Sequence, residues 1–200
     1  MKIQLEVEGL VRCFNHVSTD NFRKPLQNIL FEYPYYIATD GYTMLVYKTR
    51  MTDKPETSIQ FRFDKAIILA IKKAKFAFYD TETRQIDLQG QIFTLPDVSD
   101  CQYPNWRQVI PTEAAENQAS LIGINAEFLE RFLIKGDKGG LSLKSFSKRF
   151  SPFLVSSETG ENWAGFLMPI DIEKSNFKTD VWAELSKVKI EESKKALQAA

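Results

Sequence analysis

The feature that most constrains this chain is an order of elements that recurs three times: one strand, one helix and three strands. Residues 2–7 (Lys-Ile-Gln-Leu-Glu-Val) alternate polar and apolar, the period of a half-buried strand, and Leu10, Val11, Phe14 and Val17 then fall at helical spacing. Polar, turn-prone residues over 18–24 end that helix. Strands are predicted at 29–32, 35–39 and 44–47, with Asp40-Gly41 as a tight turn between the last two.

The second round opens with a strand at 58–63, an Asp64 N-cap and the helical stripe Ile67, Ile68, Ile71, ending in Lys72, Lys73 and Lys75. Strands at 76–79, 85–88 and 91–95 complete it, residues 96–111 form an extended connector, and 112–119 form a polar linker. The third round has a strand at 120–124, an Asn125 N-cap, a helix carrying Phe128, Leu129 and Phe132, and a stop at Gly136 and Gly139-Gly140. Its strands are predicted at 141–146, 150–156 and 163–169. Residues 181–199 add an amphipathic helix outside the repeat, with Trp182, Leu185, Val188 and Ile190 as its apolar positions. The expected class is α+β, with helices on one face of antiparallel sheets.

Composition narrows the functions open to such a chain. Its 200 residues, 44% hydrophobic, suffice for a buried core. Twenty-six basic side chains balance twenty-six acidic ones, so any contact with nucleic acid must come from local clustering of charge. Cys13 and Cys101 are far apart and have no CxxC spacing, which suits a reducing compartment without a structural disulfide. No stretch is long and apolar enough to span a bilayer and no leader pattern opens the chain, so the expectation is a cytoplasmic protein without a membrane partner.

Catalytic motifs are equally scarce. The single histidine, His16, has no carboxylate pair or cysteine motif near it in sequence, and there is neither a GxxxxGK[ST] loop nor a GxGxxG after a strand. Asp80 and Glu82 sit in a turn context that suits capping and solvation. The expectation is a non-enzyme with no cofactor or metal.

Three segments resemble the bacterial DNA polymerase III β sliding clamp. Residues 23–32 (Arg-Lys-Pro-Leu-Gln-Asn-Ile-Leu-Phe-Glu), followed by Ala38-Thr39-Asp40-Gly41-Tyr42-Thr43-Met44-Leu45, are similar to a middle-domain strand leading to Ala-Thr-Asp-Gly-His-Arg-Leu. Tyr103-Pro104-Asn105-Trp106-Arg107-Gln108-Val109-Ile110-Pro111 resembles the family's Phe-Pro-Asp-Tyr-Arg-Arg-Val-Leu-Pro connector, and Gly165-Phe166-Leu167-Met168-Pro169-Ile170 resembles its closing Val-Val-Met-Pro-Met run. They occur in the family's order and cover residues 1–172 with the DNA-clamp fold: a complete domain at 1–111, the linker at 112–119, a half-domain at 120–172 and an extension at 173–200.

The resemblance implies a processivity platform. Its pocket for a short apolar peptide of a DNA polymerase or repair protein would comprise Thr39, Gly41, Tyr42, Thr43, Met44, Pro104, Gln108, Val109, Phe153, Met168, Pro169 and Ile170. Tyr42 and Thr43 stand where the family often has His-Arg, and Asp171 where it often has Arg, which alters the peptide preference. Sequence-independent contacts with duplex DNA would come from Arg12, Arg23, Lys24, Lys72, Lys73, Lys75, Arg131, Lys135 and Lys138. Ring closure calls for a homo-oligomer in which the half-domains of two copies pair, four chains of three repeats supplying a full ring. The alternative is a monomeric peptide-binding or decoy module that does not encircle DNA.

Overall fold

In the computed structural model the described residues are 1–111, 123–146, 151–158 and 162–170. The chain divides into a unit of Met1–Pro169 and a second of Ile170–Ala200, and the strands and helices described here lie in the first. The linker at 112–119, most of the strand expected at 120–124 and the helix expected at 181–199 lie outside the described residues.

The first round consists of β1 (Lys2–Leu5), α1 (Val7–Phe14), β2 (Ile29–Glu32), β3 (Tyr35–Thr39) and β4 (Thr43–Lys48). β5 (Ile59–Phe61), α2 (Lys65–Ile71), β6 (Ala77–Asp80), β7 (Gln85–Leu88) and β8 (Gln91–Thr94) make the second. In the third, α3 (Ala126–Glu130) precedes β9 (Leu141–Lys144), β10 (Phe153–Ser157) and β11 (Trp163–Leu167). Both predicted side-chain caps form, Asp64 accepting from the Ile67 N–H and Asn125 from the Glu127 N–H.

The ends of elements differ from the sequence reading for local reasons. α1 stops at Phe14 because the N–H groups of Asn15 and His16 bond three residues back, to the Arg12 and Cys13 carbonyls, which tightens the last turn. Val17 therefore packs on the core from outside the helix. β11 stops at Leu167, since Pro169 has no N–H for a ladder.

The lead strands cross over. β1 pairs antiparallel with β6, Lys2↔Asp80 to Leu5↔Ala77, while β5 pairs with β2, Ile29↔Phe61 to Phe31↔Ile59. Each of the first two repeats thus completes the sheet of the other, giving sheets in the order β1-β6-β7-β8 and β5-β2-β3-β4-β11-β10-β9. The second sheet is continuous because β11 pairs antiparallel with β4, from Thr43↔Leu167 to Tyr47↔Trp163.

The helices share one apolar core beneath these sheets. α1 packs on α2 and on β2, β3 and β4, and the core joins Ile3, Leu10, Phe31, Tyr36, Phe61 and Ile71 to Phe132, Val155, Trp163 and Leu167 of the third round. Burial of such side chains is worth about 1.5–3 kcal/mol each, the main drive for the arrangement. At the start of α1 the buried Glu6 carboxylate accepts from the Tyr47 hydroxyl (2.9 Å), the Thr49 hydroxyl (2.9 Å) and the Arg50 backbone N–H (2.8 Å). Burial alone would raise its pKa, but these donors, with the Arg50 guanidinium, hold it below the ordinary value.

Phe132, just past α3, stacks on Trp163 with centroids 6.0 Å apart and lies over Gly165 of β11. A Cβ at position 165 would meet the Phe132 ring at 2.1 Å. Gly165→Ala is expected to destabilise the protein by about 2 kcal/mol in a urea titration, because the ring must leave its stacked position.

Candidate functional site

The β3–β4 turn is built by its own side chains. One Asp40 carboxylate oxygen accepts from the N–H groups of Tyr42 (2.9 Å) and Thr43 (2.7 Å), while the Thr39 hydroxyl donates to the Thr43 carbonyl (2.7 Å) and accepts from the Gly41 N–H (3.1 Å). Gly41 has a φ of 92°, which favours a residue without a Cβ. The other Asp40 oxygen is ion-paired with Arg131, just after α3, and Arg23 donates to the Asp40 carbonyl at 3.1 Å. Burial would raise the Asp40 pKa, yet the Thr43 and Tyr42 N–H groups and the Arg131 guanidinium hold it below the ordinary carboxylate value.

His16 closes this network from α1's side. It is fully buried, with Nδ1 3.0 Å from the Thr43 hydroxyl and its ring 4.6 Å from that of Phe132. Burial pushes its pKa down to about 3, so the imidazole is neutral across the physiological range and serves as a packed, hydrogen-bonded wedge.

The opposite face of the second sheet carries a separate apolar cluster. Met44 and Phe166 are cross-strand neighbours in the β4–β11 register, and with Leu30, Ile37 and Trp106 they form a buried group flanked by Tyr35, Val46, Tyr103 and Leu154. The connector is pinned over it: Trp106 Nε1 donates to Glu32 at 3.0 Å, Arg107 donates to the same carboxylate at 3.0 Å, and the Arg107 guanidinium lies 4.3 Å above the Trp106 ring. The Tyr103 hydroxyl donates to the Ile37 carbonyl at 3.3 Å. A cleft of about 490 Å³, lined in part by Leu30, Glu32, Tyr103, Pro104 and Trp106, opens beside the connector.

The pocket residues expected from sequence fall into several environments. Met44 lies in this cluster, and Met168 and Pro169, half-buried, follow the end of β11, Met168 donating its N–H to the Tyr42 carbonyl at 2.9 Å. Pro104, Gln108 and Val109 are exposed on the connector around Trp106, and Thr39 is tied into the turn with Gly41. Ile170 belongs to the second unit.

Three expected members face the other way. Phe153 packs in the helix-side core, since alternation along β10 gives the outer face to Leu154 instead. Thr43 is buried against His16. Tyr42, half-exposed, stacks on Phe128 of α3 at 5.4 Å, and the Arg23 guanidinium lies 5.6 Å from the Tyr42 ring centroid. The cluster also contains Trp106, Phe166, Leu30 and Ile37, with Leu154 packed against it; Trp106 and Phe166 lie inside two of the quoted motifs, and alternation back from Met168 reaches Phe166, whereas Leu30, Ile37 and Leu154 lie on other strands and are brought there by strand pairing.

The basic residues also divide. Lys24, Lys72, Lys73, Lys75, Lys135 and Lys138 are exposed, the Lys72–Lys75 group just beyond the C-terminal end of α2. Arg12, by contrast, is 3% exposed, donates to Glu8 (3.1 Å) and to both Asp137 oxygens (3.0 and 2.9 Å), and lies over the Trp163 ring. Arg131 is spent on Asp40 and on the Phe128 ring, and Arg23 on Asp40, Asp20 and Tyr42. Among the described residues no group of three or more His, Cys, Asp or Glu could hold a metal ion, and no helix is long and apolar enough to cross a membrane.

Solved structures align with this arrangement over most of its length. The DNA polymerase III β subunit of Thermotoga maritima matches with a TM-score of 0.61 at 11% identity, covering 85% of this chain and 65% of that one. The Borrelia burgdorferi β subunit, solved with a natural product, gives 0.63 at 12%, covering 86% and 64%, and the Pseudomonas aeruginosa sliding clamp, solved with a ligand, gives 0.62 at 13%, covering 85% and 66%. The chain has the sliding-clamp fold. It spans about 65% of the length of these clamps. No protein-family model matches the sequence, and no curated protein matches it significantly.

Because the Asp40 pKa is depressed on folding, its contribution to stability is complete above the unfolded-state value of about 4 and is lost as pH falls below it. Asp40→Asn is expected to cost about 3 kcal/mol at neutral pH, since it leaves Arg131 without its partner, and to narrow the difference from the parent chain at pH 3. Urea titrations at the two pH values measure both effects.

Proposed function

We propose that this chain is a clamp-like recruitment platform of DNA replication or repair that docks a short apolar peptide of a polymerase or repair protein on the outer face of its seven-stranded sheet. The observation that carries the reading is the Met44–Phe166–Trp106 cluster, with the connector pinned over it by Glu32 and a cleft opening beside it. Leu30, Tyr103, Pro104 and Trp106 of the cleft, beside the buried Met44 and Phe166, supply the rigid aromatic and proline walls that accommodate small apolar anchors. The reading takes 1–111 as a complete domain, 112–119 as a linker, 120–172 as a half-domain and 173–200 as an extension. It is non-catalytic: His16 and Asp40, the titratable groups nearest the turn, are spent on structural bonds.

In the fuller form of the proposal several copies close around duplex DNA, with the exposed lysines holding phosphates without reading bases. One observation favours a second reading, a monomeric peptide-binding module that does not encircle DNA: Arg12 and Arg131 are consumed by Asp137 and Asp40.

A fluorescent peptide with apolar anchors, titrated against the full chain, tests the docking surface. Met168→Asp is expected to weaken binding by at least about tenfold, because a charge then sits unpaired beside apolar groups; unchanged affinity would count against the assignment. On a DNA duplex, replacing Lys72, Lys73 and Lys75 by Gln is expected to reduce the slope of log affinity against log salt by about two to three. No DNA affinity in the parent chain would leave the monomeric module as the reading.

A further inference from the structure

The four-stranded sheet, β1-β6-β7-β8, has one face in the core and one in water. On the core side Ala77 and Tyr79 of β6, Ile86 and Leu88 of β7 and Phe93 of β8 pack with Ile67 and Ile71 of α2. Alternation sends their neighbours outward. Phe78 is 41% exposed, Ile92 61% and Phe76, just before β6, 53%. Phe78 pairs with Gln4 on one side and Asp87 on the other, and Asp87 pairs with Ile92, so one row runs across the sheet as Gln4, Phe78, Asp87, Ile92. Single apolar side chains at a surface need no explanation, but two phenyl rings and an isoleucine on one open face mark a contact surface.

Charge is distributed unevenly around this face. Where β6 turns into β7, the Asp80 and Glu82 carboxylates are paired with the terminal amine of Met1, at 3.7 and 2.8 Å. The Asp87 carboxylate, between Phe78 and Ile92 in the row, accepts from the Gly90 N–H at 2.7 Å. At the opposite end the Lys75 N–H donates to the Gln89 side chain at 2.9 Å, which ties the segment between α2 and β6 to the β7–β8 turn. Exposed Lys72, Lys73 and Lys75 are thus held at the Phe76 end of the sheet, facing a turn, Gln89-Gly90, that carries no charge.

We propose that this face binds single-stranded nucleic acid, with bases stacked on Phe76 and Phe78 and phosphates held by Lys72, Lys73 and Lys75. Rings two residues apart on a strand stand about 6.8 Å from each other. This is about twice the ~3.4 Å rise of a duplex strand, so the rings suit consecutive bases that have been unstacked and drawn apart. Every base has a face that can stack on a ring, so such binding tolerates any sequence, whereas the paired bases of a duplex cannot reach the sheet. The lysines decide between a nucleic acid and an apolar peptide as the occupant, because phosphates gain from three cations and an apolar segment does not. The surface lies on the other sheet from the Met44–Phe166–Trp106 cluster, so the inference goes beyond the recruitment reading and either can fail alone.

Fluorescence anisotropy of a labelled thymidine oligomer of about twelve nucleotides, titrated with the full chain, tests it. The parent chain is expected to bind. Phe76→Ala and Phe78→Ala are each expected to weaken binding by at least about fivefold, with the urea midpoint little changed and any affinity for a duplex as in the parent. Phe78→Trp should bind at least as tightly as the parent, and Phe78→Leu should behave like Phe78→Ala, because an apolar contact without a ring cannot stack. The lysines are those assigned to duplex phosphates above, so the ring variants separate the two modes. A parent chain that does not bind the oligomer, ring variants that bind it as the parent does, or a Phe78→Leu variant with full affinity would overturn the proposal. So would a Phe78→Ala variant that keeps the oligomer and loses the apolar peptide, since the face would then be a protein contact.

Discussion

The antiparallel seam between β4 and β11 is the constraint on which the rest of the molecule depends, because it joins strands that are far apart in sequence, from Thr43↔Leu167 to Tyr47↔Trp163. Its backbone bonds contribute only about 1 kcal/mol each after exchange with water. What holds it is the apolar packing on both faces. On the helix side, Phe132 lies over Gly165 and stacks on Trp163. On the other, Met44 meets Phe166 under Trp106. A slip of one residue would exchange the two sets of side chains between the faces, so one register serves both the core and the candidate docking surface.

Charges buried near the seam reinforce the same choice. Asp40 binds the β3–β4 turn to Arg131, Arg12 of α1 binds Asp137, and the Asn15 side chain donates to the Arg131 carbonyl at 3.2 Å. Each of these links joins the first repeat to the third. An unpaired charge in their place would cost several kcal/mol, so they bias the packing toward one relative placement of α1 and α3. Arg12 and Arg131 thus serve the fold, while Lys72, Lys73, Lys75, Lys135 and Lys138 stay exposed.

Much of this was legible in local pattern. The strands at 29–32, 35–39 and 85–88, the Asp40-Gly41 turn and the caps at Asp64 and Asn125 follow from side-chain alternation and turn chemistry within a few residues. The candidate site was legible only in part. Motif resemblance led to Met44, Pro104 and Met168, but included Phe153, which faces the helix-side core, and omitted Phe166 and Leu154, which line the outer face with Met44. Arg12 reads as an ordinary helix cation until Asp137, more than a hundred residues away in sequence, is seen to neutralise it.

By itself, then, the sequence determined two rounds of strand, helix and three strands, the helix and three strands of a third, their α+β class and the absence of a net charge with which to attract nucleic acid. Those properties are local or additive, and hydrophobic period and composition report them directly. Only the tertiary structure decided that lead strands exchange between the first two repeats, that the third joins the first through β4 and β11, and which side of each strand meets the core. These are pairings between distant residues, selected by burial on both faces of a sheet, and the period along one strand does not specify the strand that will lie beside it.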